Sequence, residues 1–205
     1  STAFKANPIA VGAWIRKGHL EADRIECGPF DETKVRKVLE RSRRLCGDMP
    51  PDFARPLVEL CARAGVALVF VPELPGTHLS GAARWLSPTK AVIQLSARHK
   101  SDDHFWFTFF HEMCHILKHS KKETFIDVGT SGIAKELENE ADAFAARTLI
   151  PANDAHLRPT LTTPAEHCTF ADLTGVAPGI ARGRPSPARL LHPRQIPPCL
   201  ARTRS

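Results

Sequence analysis

Several features are missing from this chain, and each absence excludes a class of protein or of site. A membrane-spanning helix needs about 18 consecutive apolar residues, and no apolar run in the sequence is that long. The sequence also does not open with the charged segment followed by an apolar segment that is typical of a secretion signal. The six cysteines contain no CxxC pair, which argues against a zinc ribbon or a small disulfide scaffold. Tyrosine is absent, so no phenol hydroxyl can serve in a site. We therefore expect a globular, cytoplasmic protein with reduced and mostly packed thiols.

Acidic residues are absent from residues 181–205, which contain six arginines. These arginines account for the whole formal net charge of +6, so residues 1–180 are electrically balanced. The segment is also rich in proline, and we predict that residues 183–205 form a disordered tail. Because the positive charge is confined to this tail, we do not expect the chain to bind nucleic acid directly.

Apolar periodicity divides the remainder of the chain into two parts. Residues 1–30 contain one helical pattern, and we interpret them as an N-terminal helix or linker, of the kind that the remnant of a longer chain would leave. Residues 31–182 are predicted to form the main domain. In this domain "VALVFV" predicts one strand, and "GTHLSGAARWLSPTKAVIQLS" predicts two more, which a turn at "SPTK" joins as a hairpin. The predicted fold class is α+β, with a small, mostly antiparallel sheet packed on helices.

The stretch "FFHEMCHILKH" places polar residues inside an almost unbroken apolar helix. His111 and His115 are four residues apart, so their rings project from one face of that helix, about 6 Å from each other. This separation suits two ligands of one zinc ion, and Glu112 lies beside the same face, where it can reach a water on the metal. The alternative is a pair of core histidines whose ring nitrogens are satisfied by hydrogen bonds.

A second helix, containing "ELENEADAF", can supply the third protein ligand that a zinc ion held by two histidines needs. Glu138 and Asp142 share a helical face, so one can bind the metal while the other accepts the ring N–H of a ligating histidine. Glu140 points about 200° around the helix from Glu138, and we expect it to face solvent. We exclude His119 as a ligand because the eight helical residues from His111 rise about 12 Å; we place it at the helix end.

The stretches "WFTFFHEMCHILKH" and "ELENEADAFAARTLIP" together resemble the signature of the ImmA/IrrE family of bacterial and phage metallopeptidases. The segment before them resembles the branch in which this domain follows a helix-turn-helix segment in HigA-type antitoxins or repressors. The resemblance covers residues 55–182 or so. It implies a minimal thermolysin-like zinc peptidase in residues 31–182, with His111, His115 and Glu138 as ligands and Glu112 as general base.

The resemblance further implies a zinc-dependent endopeptidase that cleaves a regulatory protein, such as a helix-turn-helix repressor. This regulatory protein would belong to a stress-response, mobile-element or toxin-antitoxin circuit. Manganese or another divalent ion can replace zinc at such ligands, and an edge strand from "KAVIQLS" would hold the substrate by strand addition. The alternative is a DNA-binding or antitoxin module with a structural or silent zinc site, in which "FADLTGVAPGIAR" would form a helix-turn-helix.

Two of the departures from the family pattern concern the site. Cys114 occupies a position that is often glycine, which places a thiol near the expected metal. Because the chain has no tyrosine, the donor to a transition-state oxyanion would have to come from elsewhere, and His99, His104 and Arg98 are the candidates.

Overall fold

The computed structural model describes residues 6–47, 50, 52–96, 102–119, 125–126, 133–150 and 163–176. The predicted tail at residues 183–205 and the second half of "FADLTGVAPGIAR" lie outside this part of the chain. None of the helices within it has the length and apolar composition that a bilayer crossing requires. The elements are, in chain order, α1 (Pro8–Asp23), α2 (Glu32–Leu45), α3 (Ala54–Arg63), β1 (Val66–Phe70), β2 (Gly81–Ser87), β3 (Lys90–Leu95), α4 (Asp102–Lys118), β4 (Phe125–Ile126), α5 (Ile133–Leu149) and α6 (Pro164–Thr174).

Four strands form one mixed sheet in the order β1-β3-β2-β4. The strands β2 and β3 pair antiparallel, which confirms the predicted hairpin, whereas β1 and β3 pair in parallel. The predicted α+β fold class with a mostly antiparallel sheet is confirmed, and the pairing of β1 with β3 is the parallel exception among the described strands. The reason is that the second strand of the hairpin, rather than the first, lies beside β1, so the two neighbours run in the same direction.

Both faces of the sheet are covered by helices. Val66 and Leu68 of β1 pack in the larger core cluster, which they share with α2, α3, α4, α5 and α6. Ala67 and Val69 point the other way, into a smaller cluster beneath α1. Because alternate residues of a strand face opposite sides, a strand covered on both sides becomes apolar throughout, as "VALVF" is.

The helix α1 packs on the face of the sheet that lies opposite α4. The Trp14 side chain is fully buried, and its indole N–H donates to the carbonyl of Val71 at 2.9 Å. In return, the Gln94 side-chain amide donates to the Trp14 carbonyl at 2.8 Å. Lys90 Nζ donates to the carbonyls of Ala22 and Ile25 at the end of the helix, both at 2.8 Å. Residues 8–23, which the sequence analysis assigns to a linker or helix, thus share a core with the sheet.

The short helix α6 contains the first half of the stretch that suggests a helix-turn-helix. Phe170 and Ala171 are buried in the larger core, and the helix ends at Gly175, which adopts the left-handed conformation that favours glycine (φ 64°). Arg43 of α2 donates to the carbonyls of Thr174 and Gly175 at 2.6 and 2.9 Å. The described half of this motif therefore packs on the body of the domain.

Replacing Trp14 with alanine tests whether α1 belongs to the folded domain. We expect Trp14→Ala to lower the free energy of unfolding by about 3 kcal/mol, because the substitution empties a buried aromatic site and removes a buried hydrogen bond. Urea denaturation measures the change. Ile9→Ala on the same helix is the control, since Ile9 is 83% exposed and should change the value by less than about 0.5 kcal/mol. A Trp14→Ala protein as stable as the wild type would mean that α1 is only an appended segment.

Candidate metal centre

The helix α4 lies between the sheet and α5, which explains why it is apolar on nearly every face. His111, Glu112 and His115 are 8%, 2% and 1% exposed, so all three polar side chains are held away from bulk water. Burying such groups costs free energy unless hydrogen bonds, opposite charges or an ion compensate them. The compensating groups in the described structure come largely from α5.

Three side chains from these two helices bring their ligating atoms to one point. His111 Nε2 lies 3.0 Å from His115 Nε2 and 3.1 Å from Glu138 Oε2, and His115 Nε2 lies 3.5 Å from Glu138 Oε1. Ligands about 2.1 Å from a tetrahedral ion are about 3.4 Å from one another. Two imidazoles and one carboxylate at these spacings fit a zinc-type site that leaves one position open. Among the described residues, His111, His115 and Glu138 form a group that could hold a metal ion.

Asp142 lies one helical turn after Glu138 and contacts the other side of the His111 ring. His111 Nδ1 and Asp142 Oδ1 are 3.0 Å apart, so the ring N–H can donate to the carboxylate while Nε2 faces the cluster. Burial opposes protonation of His111, but the hydrogen bonds to Asp142 and Glu138, together with the nearby charge of Glu112, raise its pKa well above the ordinary value. The site thus attracts positive charge.

His115 responds in the opposite way to the same surroundings. Burial lowers the pKa of its imidazole well below the ordinary value, and the neighbouring His111 and His119 add to this shift. A neutral imidazole has a lone pair on one ring nitrogen, and this is the form that binds metal ions. Burial of His115 therefore favours the form of this side chain that can bind a metal ion.

Glu112 is positioned by the close approach of β2 to α4. A Cβ atom at Gly81 would lie 2.7 Å from Thr108 Cγ2 and 2.9 Å from Glu112 Cγ, so the strand can run against this part of α4 only because residue 81 has no side chain. The sequence analysis did not single out Gly81. The tightness of the contact depends on the distance between two elements, which sequence spacing does not reveal.

His119 and Glu140 form contacts that the sequence analysis did not predict. Among the described residues, His119 is not part of the metal-type cluster, but its ring is buried and its Nδ1 lies 2.8 Å from His115 Nδ1. Glu140, which was expected to face solvent, is half-exposed and contacts Lys118 Nζ at 2.7 Å and His119 Nε2 at 3.4 Å. The repeat of histidine every four residues at positions 111, 115 and 119 was the available signal.

The prediction that "KAVIQLS" forms an edge strand is wrong. This segment is β3, which pairs with β1 on one side and with β2 on the other, so its backbone groups are already used in the sheet. Of the proposed oxyanion donors, Arg98 and His99 lie outside the described residues. His104 lies in the first turns of α4 and is half-buried.

Among the described residues, Cys114 is not part of the metal-type cluster. The residue is completely buried. Burial, reinforced by the charge of Glu140 and opposed by Lys118 and Arg147, raises the pKa of the thiol to about 12. Cysteine binds metals and reacts with electrophiles as the thiolate, so this side chain is suited to packing rather than to ligation.

Alkylation tests this assignment of Cys114. At pH 8 the thiol should remain protonated, because pH 8 is far below its pKa of about 12, and iodoacetamide should label Cys114 in the folded protein at least about tenfold more slowly than in urea-unfolded protein. Peptide mass spectrometry gives the rate at this residue. Rapid labelling of Cys114 in the folded, metal-free protein that stops when metal is added would instead identify the thiol as a ligand.

Comparison with protein families agrees with the geometry of the site. The family model named Peptidase_M78, described as the IrrE N-terminal-like domain, matches residues 61–184, which is 124 of the 205 residues. The match includes the whole of α4 and α5, and with them every residue of the metal-type cluster. No curated protein matches the sequence. The predicted resemblance to the ImmA/IrrE family is thus confirmed, and the chain belongs to the Peptidase_M78 family, with an IrrE N-terminal-like domain.

Proposed function

We propose that the protein is a zinc-dependent endopeptidase that cleaves a cytoplasmic regulatory protein. The observation that supports this proposal most strongly is the triangle formed by His111, His115 and Glu138, with the buried Glu112 beside it on α4. Membership of a peptidase family supports the same class of reaction. Zinc is the proposed metal because two imidazoles and one carboxylate at tetrahedral spacing suit it, although manganese accepts similar ligands.

A zinc ion held by the three side chains would supply a Lewis acid that lowers the pKa of water toward about 7 and polarises the substrate carbonyl. The role of Glu112 is to accept the proton that the water loses as its oxygen adds to the carbonyl carbon. Glu112 then returns the proton to the amide nitrogen as the C–N bond breaks, so that a free amine leaves. Asp142 keeps the His111 ring oriented during these steps through the 3.0 Å contact with Nδ1.

The proposed substrate is an exposed loop of a helix-turn-helix repressor in a stress-response, mobile-element or toxin-antitoxin circuit. The support for this part of the proposal is the family resemblance, which includes a branch associated with such regulators. Incubation of the zinc-loaded protein with a repressor encoded beside it should give one discrete cut, detected by mass spectrometry. A chelator should abolish the cut, and added zinc should restore it.

The alternative is a DNA-binding or antitoxin module in which the metal site is structural or silent. Phe170 and Ala171 of the candidate helix-turn-helix are packed in the core, and α6 contains no lysine or arginine, which gives this reading less support. The two functions differ in their dependence on Glu112, since a structural site does not need a general base.

Glu112→Gln separates the two functions. We expect this variant to retain its fold and its metal and to lose peptidase activity by about 100-fold or more, because an amide cannot accept the proton. Metal content and cleavage rate are measured on the same preparation. The control is Glu136→Gln, an exposed change on α5 that should leave both values unaltered. Regulatory output that survives Glu112→Gln unchanged would favour the binding module.

Glu138→Ala tests the third ligand. Purified wild-type protein should contain about one zinc per chain, and Glu138→Ala should lose most of it, because two histidines alone leave the ion with too few protein ligands. Glu136→Ala, two residues earlier on the same helix, should retain the metal. Atomic absorption gives the stoichiometry. Equal metal content in Glu138→Ala and the wild type would remove Glu138 from the ligand set.

A further inference from the structure

The rings of His111, His115 and His119 follow one another along one face of α4, each edge-on to the next. The centroids of consecutive rings are 4.8 Å apart in both steps. The backbone N–H of His119 donates to the carbonyl of His115 at 3.2 Å, so the helical geometry continues one residue past the end of α4. The side chain of His119 is 2% exposed, which shields its contact with His115 from solvent.

The positions of the ring nitrogens determine the direction of each hydrogen bond. His115 Nε2 faces the metal-type cluster, 3.0 Å from His111 Nε2, so its lone pair is the one available to an ion. The proton of a neutral His115 then lies on Nδ1, which donates to His119 Nδ1 at 2.8 Å. His119 must in turn have its proton on Nε2, which points toward Glu140 Oε2 at 3.4 Å. In this row of hydrogen bonds, Nδ1 of His115 and Nε2 of His119 are the donors, and Nδ1 of His119 is the acceptor.

Glu140 is held at the outer end of this sequence of hydrogen bonds. Its Oε1 accepts from Lys118 Nζ at 2.7 Å, and Lys118 lies over the Phe144 ring at 5.7 Å from the centroid. The two histidines of the cluster therefore both connect to carboxylates of α5. His111 connects directly to Asp142, and His115 connects through His119 to Glu140.

We propose that His119 is a positioning residue, which binds no metal but holds His115 in the ring orientation and the tautomer that metal binding requires. Carboxylates commonly fill this role for a ligating histidine, and here a neutral imidazole stands between the ligand and the carboxylate. The inference rests on the proposed metal site but does not depend on peptide hydrolysis.

Three substitutions at position 119 separate this role from simple packing. In His119→Asn the amide oxygen can occupy the place of Nδ1 and accept the His115 proton. In His119→Gln the amide lies instead at the place of Nε2, so the His115 proton has no acceptor there. His119→Leu fills the space with no acceptor. We expect the leucine and glutamine variants to bind zinc about 10 to 100-fold more weakly than the wild type, and the asparagine variant to stay within a few-fold. Chelator competition gives the zinc dissociation constants.

The zinc-loaded proteins offer a second measurement that is independent of activity. A solvent-protected His115 Hδ1 proton should be visible by NMR in the wild type and in His119→Asn, and absent in His119→Gln. His19→Leu, on the opposite face of the sheet, is the control for loss of an imidazole and should change neither measurement. If the leucine variant fails to fold, the asparagine and glutamine pair still decides the question.

Each outcome has one meaning. Equal zinc affinity in the wild type and in the glutamine and leucine variants, or equal loss in all three variants, would overturn the positioning role. A wild-type protein that binds no zinc would instead overturn the metal site and, with it, the proposed function.

Discussion

The contact between α4 and α5 is the interaction on which the rest of the site depends. The helix α4 buries the imidazoles of His111 and His115 in an apolar interior, which costs free energy unless hydrogen bonds or opposite charges compensate them. The carboxylates of α5 change this balance, because Glu138 and Asp142 contact the two ring nitrogens of His111 and Glu140 contacts His119. A small rotation of either helix about its axis would separate these groups. The packing that stabilises the fold therefore also determines the geometry of the site.

The predictions that held were those that depend on spacing within one element. The rule that residues four apart share a helical face is enough to bring His111 and His115 together and to place Glu138 beside Asp142 on α5, and the hairpin of β2 and β3 follows from its turn. The parallel pairing of β1 with β3 could not be predicted in this way, because it joins segments that are far apart in the sequence. The wrong prediction that "KAVIQLS" is an edge strand has the same cause, because its central position results from this pairing with β1. Local rules predict which side chains share a helical face better than they predict which strand lies at the edge of the sheet.

Other residues were missed for a different physical reason. The spacing of four residues is enough to bring the His119 ring against that of His115. The rise of the helix between His111 and His119 excludes only direct contact with an ion, and not contact with a side chain that could bind one. No sequence motif marks Gly81. A side chain is excluded at this position because atoms of Glu112 and Thr108, on another element, lie where its Cβ would be. Trp14, Gly18 and Ala22 form the buried face of α1 at a spacing of four residues, and this stripe was the signal that the helix packs on a partner.

The placement of α1 has a consequence for how the chain folds during synthesis. Trp14 is 57 residues from Val71 and 80 residues from Gln94, the two residues with which it exchanges hydrogen bonds. A helix made early therefore has no surface to dock on until β3 has left the ribosome, and contacts this distant in sequence form slowly. During that interval the indole of Trp14 remains in water and is available to chaperones and to other nascent chains. This face of the domain can thus be completed only after β3 has been synthesised.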